Sequence, residues 1–534
     1  MTLVAGADFG TLSVRVTIMD CDAGSVLGSA TADYPLKRSD SDPHLAQQSH
    51  DDHMTGFVSA MRSAIDAAGI DGQRIAAFAA DTTGSSVVVV DEALRPLDDY
   101  YLWCDHRAAK EAAEITARGH EEEIEALDWC GGVYSHEWGY AKLLHFLRHN
   151  PDKRDRVATA LEHCDMLVAT LTGVTSPADL PRSICAMGHK WMWGERWGGF
   201  PPQDFLSRVD PLLDGINEKL RGRFGNSTEV AGFLTEDWAE RLGLRPGIPI
   251  PFGAFDSHWD AVSVGCRMGD VVNVVGTSTC IIAEGPTDMR PVAGICGAVP
   301  ASLVPGAMGV EAGQSATGDI FAAIAARAGT DVASLMADIG DPAPGASGLL
   351  RIPWDNGDRT VLVRSDLGGV TLGWDLGHTA VDEMHAAIEG VAMHVRLIVE
   401  RMGAGGLELT RVLNGGGIPP KNPLLNHIYA NVIGRDVYVP ETPSTGIGAC
   451  IFAALAGDAF DSIEAAQERL CPSLNVFSPD PVRQECYETL FNLFRDLYFG
   501  FGEGSSVDLG RVLPTLRDFR LAGGKTVREG DRQQ

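Results

Sequence analysis

The sequence is short of positive charge: 43 lysines and arginines face 72 aspartates and glutamates, for a formal net charge of −29. No extended basic run occurs, which argues against a nucleic acid or an anionic membrane surface as partner. A nucleotide is not excluded. Charges farther apart than a Debye length of about 8 Å are screened, so an anion site needs only local donors and a metal ion. No apolar run approaches the roughly 18 residues that a membrane helix requires. The opening MTLVAGADFG enters a strand at once and lacks the basic stretch of a signal peptide, so the expectation is a cytoplasmic protein. The eleven cysteines form no C-x-x-C pair. An odd, scattered set predicts reduced, mostly buried thiols rather than disulfides or zinc. Also missing are a G-x-x-x-x-G-K-[ST] phosphate loop, the G-x-G-x-x-G spacing of a dinucleotide site and the G-x-S-x-G elbow of a serine hydrolase.

What is present is ordinary globular composition, 45% apolar and 22% charged, in a chain of 534 residues, too long for one core. Leu3 to Asp20 reads as strand, turn, strand, and GSVLGSATADYPL continues as a third strand. Asp51 to Ala68 carries Met54, Phe57, Val58, Met61 and Ile65 at helical spacing. Ile75 to Ala80 is an apolar run ending at Asp81-Thr82-Thr83-Gly84, ahead of a valine-rich strand. Strands alternating with helices predict an α/β architecture with mixed sheets. Ser183 to Pro202, with three tryptophans and a proline pair, reads as a substrate-covering loop rather than a core helix. In the second half, Val271 to Ile282 is again strand, Gly-Thr turn, strand, and the match to Phe9–Val14 suggests a duplicated domain with a cleft between the copies. Helices are expected over Gly313–Ala328, Val381–Arg401, from Asn422, and over Thr445–Ala456 as the last helix of the second domain. The boundary is drawn at residues 255/256, with domains at 1–255 and 256–500 and a mobile tail from 501 to 534.

Three sets of residues suit phosphoryl transfer. Gly10 in its hairpin lets backbone amides approach a phosphate, Thr11 and Ser13 add hydroxyl donors, and Asp8 suits Mg²⁺. Gly276-Thr277-Ser278 is the matching turn, so two hairpins could clamp phosphates from opposite sides. Asp256 suits a general base for an acceptor hydroxyl, although an aspartate here also suits capping a helix that begins at Ser257. Asp260 reads as a helix-surface or secondary residue and Asp81 as a weaker second carboxylate. Lys190 and Glu311, single charges in glycine-containing settings, suit charged hydrogen bonds to sugar hydroxyls, or simply solvated loops. His50 and His53 form an H-x-x-H pair without an evident third metal ligand.

These residues sit in longer stretches: DFGTLSVR at Asp8, LWCDHRAAKEA at Leu102, GGVYSHEWGYAKLLH at Gly131 and EHCDMLVATLTG at Glu162. AMGHKWMWGERWGGFP at Ala186, GAFDSHWDAVSVG at Gly253, VVGTSTC at Val274, GVEAGQSATGDIF at Gly309 and NGGGIPPKN at Asn414 follow. With them the chain resembles the FGGY carbohydrate kinases, and within these the ribulokinases. The resemblance implies two ribonuclease-H-like (actin-like ATPase) domains, with ATP and a ketose meeting in the cleft. It implies that Asp256 deprotonates the terminal hydroxyl of L-ribulose, so that phosphate is added at O5; D-ribulose, xylulose or a polyol is the alternative acceptor, and an idle sugar or nucleotide sensor a remoter one. Asp8, Thr11, Ser13 and Arg15 match positions serving Mg²⁺ and phosphate, and Gly10, Gly276 and Thr277 the phosphate turns. Gly318, Gly416, Gly417 and Asn422 match nucleotide-side positions. Lys190, Asp256 and Glu311 match sugar contacts, with Gly84 beside the sugar. Partners are ATP and a small ketose or polyol, with a homodimer left open. The chain departs from the family at Asp81–Gly84, at Gly446–Ala449 and in a short segment from about Ala328 to Arg359.

Overall fold

The computed structural model describes residues 2–503 together with Leu516 and Phe519. The first sheet begins with strand β1 (Leu3–Phe9), which turns back into β2 (Ser13–Asp20) and then β3 (Ser25–Asp33), each antiparallel to the one before. Helix α1 (His50–Ala68) starts where the Ser49 side chain accepts from Asp52 N and stops at Gly69, whose φ of 62° suits a left-handed cap. Its predicted apolar face, Met54, Phe57 and Met61, is buried. The chain then enters β4 (Ile75–Thr82), parallel to β1. Strand β5 (Ala254–Phe255) pairs parallel with β4, closing the order β5-β4-β1-β2-β3.

A second five-stranded sheet is built from Lys37–Ser39 and Asp42–Gln48, which follow β3, and from Tyr100–Tyr101, Val87–Val90 and Thr159–Glu162, which follow β4. Against it packs a cluster containing Trp138, Tyr140 and Trp191. Here one expectation is overturned. The first half of the Ser183–Pro202 stretch is no loop: Ser183 caps helix α2 (Ile184–Lys190), six of whose seven residues are buried, and the irregular part is confined to the residues after it. Trp191 is 0% exposed and donates from Nε1 to Glu162 Oε1 at 3.0 Å. Indole burial decides the matter, because a fully buried Trp with a satisfied N–H is a core residue. His50 and His53 also find partners other than a metal, His50 in Tyr100 and Thr170 and His53 in Gln48.

The second half repeats the first. Helix α3 (Asp256–Ser263) leads to β6 (Val271–Val275), which turns into antiparallel β7 (Thr279–Gly285). Strands β8 (Gly297–Pro300) and β9 (Met308–Gln314) extend that side, and β9 pairs antiparallel with β7. Helix α4 (Gly318–Ala328) begins five residues later than predicted because the buried β9 occupies Gly313 and Gln314. Helix α5 (Ala380–Ala404) opens on a capping box between Thr379 and Asp382. Strand β10 (Val412–Gly415), helix α6 (Pro423–Ile433), strand β11 (Val437–Pro440), helix α7 (Ile447–Ala456) and strand β12 (Leu474–Phe477) follow. The sheet order is β8-β9-β7-β6-β10-β11-β12. From β1 there are two antiparallel strands on one side and two parallel strands on the other. From β6 the same pattern recurs, in β7 and β9 and in β10 and β11.

Helices α3 and α7 lie between the two sheets, in a core that joins Val4, Met19, Ala77 and Ala79 to Val272, Ile282 and Leu413. Small residues allow the close fit: a Cβ on Gly6 would stand 2.7 Å from Ala449 Cβ, and one on Gly448 2.2 Å from Trp259 O. Helix α7 forms where a helix is expected, and it packs on β1 and β4 of the first sheet. All eleven cysteines are free. No single helix among the described residues is long and apolar enough to cross a membrane. The tail expected from 501 lies almost wholly outside the described residues, but Leu516 and Phe519 are buried in the core of the second half.

Candidate functional site

The two predicted turns have related geometry. Gly10 N donates to Ser13 O at 3.0 Å, and Gly276 N donates to Ser278 O at 2.8 Å. The first is pinned by the Tyr34 hydroxyl, which donates to Ser13 O at 3.0 Å and to Gly10 O. Thr11 Oγ1 accepts from Trp103 Nε1 at 3.0 Å. The second turn is tied to α4: Gly318 N donates to Gly276 O at 3.0 Å, and Asp319 N to Thr277 O at 3.1 Å. A side chain at Gly318 would stand 2.6 Å from Gly276 O. Gly416 has φ of 83° and backs onto Val275, with 2.5 Å from its Cβ position to Val275 O, so only glycine fits without strain.

Between the turns lies one cavity of ≈ 280 Å³, of the size that holds a small polar molecule. Of the predicted residues, Thr11, Gly84, Lys190, Asp256, Gly276, Thr277, Glu311, Gly416 and Gly417 line it. Gly318 stands just behind Gly276. Asp8, Gly10 and Ser13 form the strand end and turn behind Thr11 and are not in the lining. Arg15 faces a neighbouring cavity that shares Thr445 with the first, although its charge acts on Asp8 and Asp260. Asn422 is spent on capping α6, its side chain accepting from Leu425 N and donating to Met336 Sδ.

One end of the cavity is acidic. Asp256 is the first residue of α3, with Phe255 at the N-cap, so the expected capping geometry for a helix starting at Ser257 is shifted by one residue. Its Oδ1 accepts from Ser257 N at 2.6 Å. Burial, then the charge of Asp8, push the Asp256 carboxyl up to about 7, against the pull of the Ser257 N–H and Lys190. Asp260, expected as peripheral, lines the cavity, and burial with the charges of Asp8 and Asp256 pushes its carboxyl well up. Asp8 is raised by burial, although a hydrogen bond from Asp81 and the charge of Arg15 oppose this. Asp81, the partner in that hydrogen bond, is pushed well up by burial and by the charge of Asp8. Its Oδ1 is buried without a partner. Buried carboxyl oxygens of this kind are hard donors, the type that a divalent cation such as Mg²⁺ takes.

The other end is ion-paired. Lys190 Nζ stands 2.6 Å from Glu311 Oε1, with side chains 2% and 7% exposed, and also lies 5.4 Å from the Phe255 ring centroid. Burial alone would raise the Glu311 carboxyl; the charge of Lys190 beside it, with Arg359 adding, outweighs this and holds Glu311 below the usual carboxylate range. Gly84 leaves room here, since a Cβ on it would stand 3.0 Å from the Phe255 ring. Sequence reasoning missed Trp103, Phe255 and Arg359 in the lining. Trp103 and Phe255 fall inside stretches singled out for other residues, while Arg359 lies in an irregular segment with no periodicity to mark it.

The chain matches two family models: "FGGY family of carbohydrate kinases, N-terminal domain" over residues 3–180, and the corresponding C-terminal domain over residues 271–457. Among curated proteins it is 32% identical to a ribulokinase of Vibrio parahaemolyticus over 92% of this chain and 95% of the relative. It is 31% identical to a ribulokinase of Shouchella clausii over 97% and 98%. Among solved structures, xylulose kinase of Rhodospirillum rubrum superposes with a TM-score of 0.79 at 23% identity, over 94% of this chain and 100% of that one. Plasmodium falciparum glycerol kinase with ADP gives 0.77 at 16%, over 92% and 97%. These matches extend through both sheets and the cavity between them, and the chain belongs to the FGGY family of carbohydrate kinases, a sugar kinase that uses ATP as co-substrate.

Proposed function

We propose that the protein transfers the γ-phosphoryl group of ATP to O5 of L-ribulose in the cytoplasm, with residues 1–255 presenting the sugar and 256–500 the nucleotide. The observation that carries this reading is Asp256, a buried carboxyl pushed up to about 7 that lines one cavity with the Gly276–Thr277 turn and the Lys190–Glu311 pair. A base must take the proton of the acceptor hydroxyl as the bond to phosphorus forms, and a base poised near neutrality does so efficiently. Lys190 and Glu311 orient the sugar through charged hydrogen bonds. The two turns, Gly10–Ser13 and Gly276–Ser278, receive the phosphates from two sides, with Thr11, Ser13, Thr277 and Arg15. Gly416 and Gly417 form the nucleotide wall, with Gly318 supporting the Gly276 turn from behind and Asn422 fixing the start of α6. Asp8, backed by Asp81 and Asp260, would hold Mg²⁺, which when bound neutralises charge on the phosphates. Ribulokinases at 31–32% identity support L-ribulose as the acceptor.

The test is a coupled ADP-release assay over L-ribulose, D-ribulose, xylulose, ribitol and glycerol. The highest kcat/KM is expected for L-ribulose. A higher value for another acceptor replaces the substrate and keeps the kinase reading.

A further inference from the structure

Arg359 reaches the cavity from a loop that none of the recognised motifs includes, and it joins Lys190 and Glu311 in the lining. Its Nη2 donates to Glu137 Oε2 at 2.9 Å, with side chains 19% and 12% exposed. Among the described residues Glu137 is the acceptor of this guanidinium, which leaves its other N–H groups to the cavity. A guanidinium oriented on one edge by a carboxylate presents its remaining donors in fixed directions.

The loop that carries it is tightly held. The Asp358 carboxylate accepts from Thr360 N at 3.3 Å and Leu362 N at 3.1 Å, and the Tyr498 hydroxyl donates to it as well. Thr360 Oγ1 accepts from Gly313 N at 2.9 Å, two residues from Glu311 on strand β9. Val361 N donates to Gly294 O at 2.8 Å. Val361 and Val363 have φ of 87° and 52°. Branched residues are rarely held in that region, and such strain persists where surrounding contacts impose it, commonly at ligand-binding loops.

Charge at this end of the cavity is balanced in pairs, Lys190 with Glu311 and Arg359 with Glu137. Among the described residues that line the cavity, no cation lies outside these pairs. A neutral, hydroxyl-rich molecule is the match.

We propose that Arg359 is a sugar-binding, specificity-determining residue that donates hydrogen bonds to oxygens of a neutral ketose, and that Glu137 is a positioning residue that orients its guanidinium. This rests on the reading of the chain as a ketose kinase and names one further contact in the same site. Arg359 reaches the ligand from the second half of the chain and Glu137 from the first, so the pair also ties the two sides of the cleft at the sugar.

Steady-state kinetics of Arg359→Ala, Arg359→Lys and Glu137→Gln, each checked for folding by its melting temperature, test this. Arg359→Ala is expected to raise the KM for the preferred sugar about 10–100-fold, the worth of a charge-assisted hydrogen bond, and to leave the KM for ATP within about threefold. Arg359→Lys keeps the charge without the fork and should fall between. Glu137→Gln should show the same split, smaller. A folded Arg359→Ala or Arg359→Lys with unchanged sugar KM overturns the inference, as does a rise in ATP KM with sugar KM unchanged, which would assign Arg359 to phosphate. If the unaltered protein phosphorylates no sugar in the panel, the kinase reading of the substrate fails separately. Arg359 is then still tested by tryptophan fluorescence on sugar addition, since Trp103 lines the cavity. A sugar-dependent signal kept at the same midpoint in Arg359→Ala would overturn the inference, and a midpoint shifted about tenfold or more would support it.

Discussion

The two ends of the cavity treat buried charge in opposite ways. At the acidic end Asp8, Asp81, Asp256 and Asp260 are all raised, because burial and mutual repulsion outweigh the help that Arg15 and Lys190 provide. At the other end Glu311 is as deeply buried but lies below its usual range, since Lys190 stands 2.6 Å away and Arg359 adds to it. One end is balanced in charge, with Glu311 Oε2 still open to a donor; the other leaves its carboxyls uncompensated. A self-paired end suits a neutral polyol, and an uncompensated end suits a cation with its phosphates.

The contrast can be broken most directly at Asp256. In Asp256→Asn the base is gone while the shape stays, so kcat should fall about 10²–10⁴-fold with ADP affinity nearly intact. Steady-state kinetics with an ADP titration checks this, and wild-type turnover would sink the assignment. At the paired end, Lys190→Met strands Glu311 as a buried charge and should cost about 3–5 kcal/mol in denaturant unfolding. Lys190→Met/Glu311→Leu should recover most of that loss. A silent single variant would mean that the pair is not closed. Returning to the acidic end, Mg²⁺ with ADP at about a hundredfold excess over Kd should stabilise the protein by about 2.7 kcal/mol, and Asp8→Asn should lose most of the Mg²⁺-dependent part. Equal stabilisation of both proteins would remove Asp8 from the metal site. The mildest change is Gly84→Ala. Its Cβ would press on the Phe255 ring at 3.0 Å, so the sugar KM should rise about 3–10-fold, and the KM for ATP should not move.

Much of this was legible from local patterns. Leu3–Asp20 and Val271–Ile282 were readable as strand–turn–strand because alternation and a central Gly-Thr turn are properties of neighbouring residues. The strand order then bore out the repeat, with two antiparallel and two parallel neighbours around β1 and again around β6. Where reading failed, the deciding contact lay far along the chain. The stretch from Ser183 looks irregular, yet Glu162 supplies the partner that buries Trp191. Thr445–Ala456 is plainly a small-residue helix, but its packing on Gly6 of the first sheet is invisible in its own composition. Asp260 looks like a helix-surface acid until the first sheet sets Asp8 nearby.

The candidate site divides along the same line. Asp8, Asp256, Gly276, Lys190 and Glu311 stand in stretches whose residue types already suit phosphate, a base or a polyol. That Asp256 is poised near neutrality, that Glu311 is held ionised, and that Arg359 enters the wall were decided by folding alone. The physical reason is that hairpins, caps and helix faces depend on residues a few positions apart, which sequence displays. The state of a buried charge depends on which distant charges are packed against it and how much water is excluded, and only the assembled halves determine that.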